Sequence, residues 1–406
     1  MVCRFYNFDQ NHSMESPGHL SFNNTELAFK HQSDRELKRS YWLYQLINSN
    51  TLVKLGTPIT NFVLKIGLPV KGLIRQTIFR QFCGGESIEQ CEATINQLAA
   101  NGVGTILDYS VEGEEIEAVF DQTAEEILKT IARARLSPAK VPFTVFKISG
   151  VARFALLEKV NAGVALNELE SYELHKVRIR VERICRSAYE AGVPIMIDAE
   201  ESWIQDAIDH LALEMMLKFN KEKAIVLNTY QIYRHDKLAS LQADIILARS
   251  NNIFLGVKLV RGAYMEKERR RAAEMGYPSP IQLNKEATDR DYNLALAQCA
   301  DHCDVVVLVA GTHNESSCLY LTQLLAEKGM QMDDKRFFYS QLLGMSDNLS
   351  FNLSAAGYNV AKYVPYGPLK SVMPYLFRRA QENTSIAGQS SRELSLYKKE
   401  MRRRGV

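Results

Sequence analysis

Phe254-Leu255-Gly256-Val257-Lys258-Leu259-Val260-Arg261-Gly262-Ala263-Tyr264 is the stretch on which the fold turns. It opens as an apolar run, takes a lysine near its end, and leaves through Arg-Gly-Ala. Comparable runs recur on both sides of it: Gly104–Tyr109, Thr144–Ser149, Pro194–Ala199, Ile225–Gln231, Val305–Ala310, Phe337–Leu342 and Asn359–Tyr366. Helical spacing fills the intervals, as in Trp203–Phe219, where Ile204, Ala207, Ile208, Leu211 and Met215 form one stripe. Strand–helix alternation implies parallel strands with helical crossovers. Eight such runs, nearly continuous in apolar character, predict an α/β chain closed into a (βα)8 barrel. An open doubly wound sheet is the alternative. The last barrel helix is expected over Lys370–Asn383.

The 406 residues, 46% hydrophobic and 24% charged, suffice for one barrel-sized domain with extensions. The division expected is a polar segment and basic helical arm over 1–85, the barrel over 86–390, and a basic tail over 391–406. Residues 1–35 are rich in Asn, Ser and His, and loose order is expected there. In 51–85, Lys54, Lys65, Lys71, Arg75 and Arg80 lie among apolar residues without one acidic residue, and Pro58 and Pro69 break the segment. It reads either as a basic amphipathic surface for anionic lipid or as an arm packed on the barrel. No uncharged apolar run is long enough to span a bilayer. The net charge of +2 gives no polycation for nucleic acid. Seven cysteines without a CxxC motif indicate free thiols in a reducing compartment. Cys299, His302 and Cys303 admit a metal reading, but a helix end beside a buried strand explains them as well, and no metal is expected. The first 50 residues form neither an apolar signal sequence nor an Arg-rich transit peptide. The location expected is the cytoplasm, peripheral on the inner membrane surface, or the mitochondrion in a eukaryotic host.

A barrel of this kind places its chemistry at the C-terminal ends of its strands. That rule selects Lys147, Asp198, Gln231, Lys258, Arg261, Thr312, His313 and Tyr363. A buried strand does not take an unpaired Lys or Asp cheaply, so several at one rim point to a site. Gly262 and Ala263 let a backbone approach a ligand, and N–H groups there hold phosphate oxygens; a solvated loop is the plain alternative. Thr312 or Asn314 caps the next helix, or contacts a ligand. Gly102-x-Gly104 precedes its strand and is no dinucleotide fingerprint. Arg378 and Arg379, adjacent on a helix, point about 100° apart, yet guanidinium groups grip a carboxylate bidentately. Their alternative is a solvated face paired with Glu382. Lys147 or Lys258 as a Schiff-base nucleophile would instead make the chain an aldolase.

The ordered strings Asp198-Ala199-Glu200, Asn228–Gln231, Lys258–Tyr264, Gln341–Met345, Tyr363–Pro368 and Tyr375–Asn383 resemble the proline dehydrogenase family, from about Arg80 to Ser391. The resemblance implies a (βα)8 barrel holding FAD at its C-terminal rim, with the eighth helix over the flavin. It implies hydride transfer from L-proline to flavin N5, giving 1-pyrroline-5-carboxylate. Membrane quinone is the implied onward acceptor, and a separate pyrroline-5-carboxylate dehydrogenase the next enzyme. Lys147, Arg378 and Arg379 are then carboxylate ligands, Tyr363 packs on the proline ring, and Tyr375 and Tyr264 wall the pocket. Asp198 and Lys258 hold the catalytic positions. Ala199, Gln231, Arg261, Gly262, Ala263, Thr312, His313 and Glu382 are the implied FAD contacts. Two departures are visible: many members carry Arg where Lys258 stands, and some carry Trp where Met265 stands. Relatives that prefer hydroxyproline have a smaller residue at the place of Tyr363, so proline is the substrate expected, with hydroxyproline the alternative.

Overall fold

The computed structural model describes residues 20–47, 71–110, 115–385 and 389–406, with the side chains of Lys71, Leu73 and residues 380–390 outside that description. Eight parallel strands close in sequence order: β1 Val103–Tyr109, β2 Phe143–Phe146, β3 Ile195–Ile197, β4 Val226–Gln231, β5 Leu255–Val260, β6 Val306–Gly311, β7 Phe337–Leu342 and β8 Val360–Tyr366. The seam is the β1–β8 pair, which runs in register from Val103↔Val360 to Tyr109↔Tyr366. The expected runs over 144–149 and 194–199 are shorter as strands. β2 stops at Phe146 because a tight 3₁₀ turn, Ile148–Gly150, follows Lys147.

Alternation along each strand sorts its side chains. Leu255, Val257 and Leu259 of β5 pack outward with the helices. Ile106, Phe143, Val145, Met196, Leu227, Val309, Ala361 and Tyr363 fill the barrel interior. Extending that parity to the strand ends puts Asp108, Lys147, Asp198, Gln231 and Lys258 on inward positions of one rim. Every strand is covered on both faces, which is why each reads as continuously apolar.

A third core lies outside the barrel. It joins Phe29, Leu37 and Tyr44 of the N-terminal helices, Phe82, Met345, Leu376 of the last barrel helix (Leu369–Ser385), and Leu396 and Tyr397 of the C-terminal helix (Gln389–Arg404). This corrects the loose order expected over 1–35 for residues 20–35, while residues 1–19 lie outside the described residues. Thr25–Phe29 is a helix capped by the Asn24 side chain, and Ala28 and Phe29 are fully buried. Of the basic arm, Lys54, Pro58, Lys65 and Pro69 lie outside the described residues. Arg75 and Arg80 pair with Glu86 and Glu36, acids from beyond the arm. No helix among the described residues is long and apolar enough to cross a membrane.

Candidate active site

Three inward side chains from three strands meet at the rim. Lys258, buried at 5% exposure, forms an ion pair with Asp198 and donates to the Tyr363 hydroxyl at 2.5 Å. Tyr363 in turn donates to Asp198 Oδ1 at 2.9 Å. The Lys258 ammonium also lies 4.4 Å from the Tyr363 ring centroid. Burial pushes the Tyr363 phenol well above its ordinary range, and the carboxylates Asp198 and Asp108 push it further. It therefore remains protonated as a donor at neutral pH.

Lys147 leaves β2 on the same parity, just before the 3₁₀ turn. Two residues on, Ser149 gives both its N–H (3.0 Å) and its hydroxyl to Glu200. Burial pushes the Glu200 carboxyl up to about 7, against the pull of Lys147 and of the Ser149 bonds. Asp108, 7% exposed, accepts from the Ser110 hydroxyl at 2.8 Å. Neither Asp108 nor Glu200 has a role in the sequence reading. Asp108 carries the signal that selected Asp198, a charge at the last inward position of an apolar strand.

The expected cofactor contacts cluster after β4, β5 and β6. Arg261 is held by Asp289 (2.7 Å), the Thr312 hydroxyl (2.6 Å) and the Ser317 hydroxyl (2.9 Å), and it stacks 4.3 Å from the Tyr292 ring centroid. Thr312 is thus engaged by Arg261, and Asn314 is the residue that caps the next helix. His313 Nδ1 lies 2.9 Å from the Ser346 hydroxyl. Burial, with Lys362, Arg379 and Arg261 nearby, pushes the His313 imidazole down to about 3, so the ring is neutral. Gly262 has φ +140°, and a Cβ there would stand 2.5 Å from the Tyr233 ring. Gln231, 2% exposed, has a buried side-chain oxygen with no partner among the described residues. Ala199 is buried beside Asp198, and Ala263 follows Gly262 at the surface of the rim.

The last barrel helix brings its arginines to this rim. Arg378 lies 5.9 Å from the ring centroid of Tyr264, the residue after Ala263. Arg379, 7% exposed, lies 5.2 Å from that of Tyr375. Arg378 thus meets the loop after β5, and Arg379 is close enough for its charge to act on His313 after β6. The Glu382 side chain lies outside the described residues. A cavity of about 450 Å³, lined by Ser202, Trp203, Arg234, Arg271 and Tyr277 among others, draws on the loops after β3, β4 and β5, and no strand-end charge lines it. Among the described residues no cluster of His, Cys, Asp and Glu is arranged to hold a metal. Cys299 is buried in a helix, and the His302 ring contacts Arg249.

The family described as Proline dehydrogenase matches residues 91–392. Proline dehydrogenase 1, mitochondrial, of Dictyostelium discoideum is 32% identical over 98% of this chain and 78% of its own length. Hydroxyproline dehydrogenase of Xenopus laevis is 30% identical over 96% of this chain and 91% of its own. Among solved structures, proline utilization A from Bdellovibrio bacteriovorus, inactivated by N-propargylglycine, superimposes with a TM-score of 0.70 at 18% identity, over 92% of this chain. This chain spans 40% of that protein's length, and at such identity the likeness is one of fold. Three quarters of the sequence match one family, and the barrel and these relatives agree with that match: the chain belongs to the proline dehydrogenase family, oxidoreductases that act on proline.

Proposed function

We propose that this chain oxidises L-proline to 1-pyrroline-5-carboxylate with FAD as its cofactor and a membrane quinone as onward acceptor, ahead of a separate pyrroline-5-carboxylate dehydrogenase. The observation that carries the proposal is the bonded set Lys258–Asp198–Tyr363 at the barrel rim, with Arg378 and Arg379 brought to the same rim by the last barrel helix. The residues present fit a flavin. Gln231 Oε1 is a buried acceptor with no partner among the described residues, which a flavin ring N–H would satisfy, and Gly262 lets the turn after β5 pack on the Tyr233 ring where a Cβ would clash. When bound, FAD supplies the acceptor for the hydride that leaves proline C5.

The chain's own residues position the substrate. Arg378, Arg379 and Lys147 bind its carboxylate, with the guanidiniums supplying paired hydrogen bonds. The Tyr363 ring is the wall for the proline ring, and its hydroxyl is fixed from both sides by Lys258 and Asp198. Lys258 keeps a positive charge at the rim without a covalent role, and Tyr375 and Tyr264 line the opening. Ala199, Arg261, Gly262, Ala263, Thr312, His313, Gln231 and Glu382 hold the cofactor. The substrate nitrogen must arrive unprotonated so that its lone pair assists departure of the hydride. Holding the ring in one pose lowers the entropic part of the barrier.

The test is direct. Purified protein reconstituted with FAD should be yellow, and proline should bleach it under anaerobic conditions. Protein that stays colourless after reconstitution would remove the flavin. Arg378→Met should raise KM for proline by about ten- to a hundredfold, the loss of a charged hydrogen-bonded contact, while flavin is retained. Borohydride trapping of a carbonyl substrate on Lys147 or Lys258 would favour the aldolase reading instead.

Hydroxyproline is the second substrate to weigh, because a full-length relative is named for it. An intact Tyr363, buried at 7% exposure, crowds the ring and favours proline. Quinone access is tested by sedimentation with liposomes of anionic and of neutral lipid; equal binding to both, or none, would remove the basic arm and tail from that role. That the Dictyostelium discoideum relative is named as mitochondrial supports the mitochondrion as the site of action in a eukaryotic host.

A further inference from the structure

The turn after β7, residues 342–346, is gripped from three directions. From β8, Lys362 (1% exposed) donates to the carbonyls of Met345 at 2.7 Å and Leu342 at 3.3 Å, and pairs with Asp347 at 2.7 Å. From the N-terminal side, the Tyr44 hydroxyl and the Gln81 amide both donate to the Gly344 carbonyl, at 2.5 Å and 3.2 Å. From the C-terminal helix, Glu393 (4% exposed) accepts the Ser346 N–H at 2.6 Å. Ser346 has φ +49°, one of two non-glycine residues with positive φ among those described. A serine holds that conformation only where its surroundings over-determine it. Here the result is a short relay. The Ser346 backbone is tied to Glu393, and its hydroxyl lies against His313 Nδ1. No strand takes part in it, the proline clamp uses none of its members, and of them only His313 is among the proposed cofactor contacts.

We propose that Glu393 is a positioning residue of the cofactor pocket: by fixing Ser346 it fixes the ring of His313, which makes the C-terminal helix a component of the flavin site. The inference rests on the flavin reading above. A neutral imidazole has one N–H and one bare nitrogen, and the partner of one nitrogen settles what the other offers. With Ser346 against Nδ1, Nε2 is the nitrogen presented to a ligand. Removing Glu393 frees the Ser346 backbone to relax from its left-handed conformation, and the hydroxyl moves with it.

The experiment compares FAD affinity, read by flavin fluorescence on reconstitution, across four variants. Glu393→Leu should weaken FAD binding by about tenfold or more, the scale of one hydrogen bond to a charged group. Glu393→Gln, which keeps an acceptor oxygen for the Ser346 N–H, should restore the parent affinity to within about twofold. Ser346→Ala should reproduce the loss, and it carries the test if Glu393→Leu does not fold. On a His313→Gln background, Glu393→Leu should add nothing, since the relay then has no end. Parent-like affinity in folded Glu393→Leu and in Ser346→Ala, or losses that multiply with His313→Gln, would overturn the proposal. Should the parent itself bind no FAD, the flavin reading fails. The relay is then judged by the ring nitrogen shifts of selectively labelled His313, which must differ between parent and Ser346→Ala.

Discussion

Lys258 is a buried cation that depends on two neighbours. An ammonium at 5% exposure loses most of its hydration, and the Asp198 carboxylate and the Tyr363 hydroxyl replace it. Removing the counter-charge is therefore costly. Asp198→Ala should destabilise the protein by about 3 kcal/mol, seen as a fall in melting temperature that Lys258→Met in the same chain largely reverses. A double variant no more stable than the single one would show that the pair is not coupled. Tyr363 tells a different story, since its ring is the wall we propose for the substrate while its hydroxyl joins the bonded set. Tyr363→Ser should raise kcat/KM for hydroxyproline relative to proline by about tenfold or more, on the scale of opening a pocket by a ring's worth of atoms. A ratio that does not move would place the ring wall elsewhere.

At the scale of elements, the strand ends are where sequence and structure meet most closely. Each strand is apolar on both faces, so the run stands out, and the polar residue at its last inward position stands out within it, as Asp198 and Lys258 do. Asp108 obeys the same pattern and carries no role in the sequence reading. What strand reading alone leaves unseen is convergence across the chain. Arg261 sits among Asp289, Thr312 and Ser317, and no spacing rule links those positions. Glu393 reads as one of two acids in a basic stretch, and only docking of its helix brings it to Ser346. The role proposed for the arginine pair comes from the family resemblance, because helix geometry alone turns adjacent residues about 100° apart. The turn after β5 yields the clearest element-level prediction. Gly262→Ala must place a methyl against Tyr233 at φ +140°, a conformation that costs about 1–3 kcal/mol for a side-chain-bearing residue. The protein should remain folded but lose FAD on dialysis; retention equal to the parent would separate this turn from the cofactor.

For the whole molecule, buried titratable groups make stability depend on pH in a definite direction. Glu200 and Glu393 are both pushed up to about 7 by burial, from an ordinary 4.5. The folded state then holds their protons more tightly than the unfolded state, so their contribution is lost as pH rises from about 4.5 through about 7. His313, pushed down to about 3, acts oppositely: its contribution is lost as pH falls from 6.5 toward 3. Between about pH 5 and pH 8 the two carboxyls act in the same direction, and His313 opposes them only below about pH 6.5. Glu393→Gln should shrink the fall in Tm over that interval, having removed a share on the order of 3 kcal/mol; an unchanged fall would mean Glu393 is ionised throughout. The β1–β8 seam has a consequence in time. It joins Val103 to Val360, so the ribosome must make all the chain between them before the barrel can close. At about 5–20 residues per second that interval lasts roughly 13 to 50 s, with the open edge of β1 exposed to other chains. Nascent protein should thus be most prone to aggregate, and most in need of a chaperone, before β8 emerges.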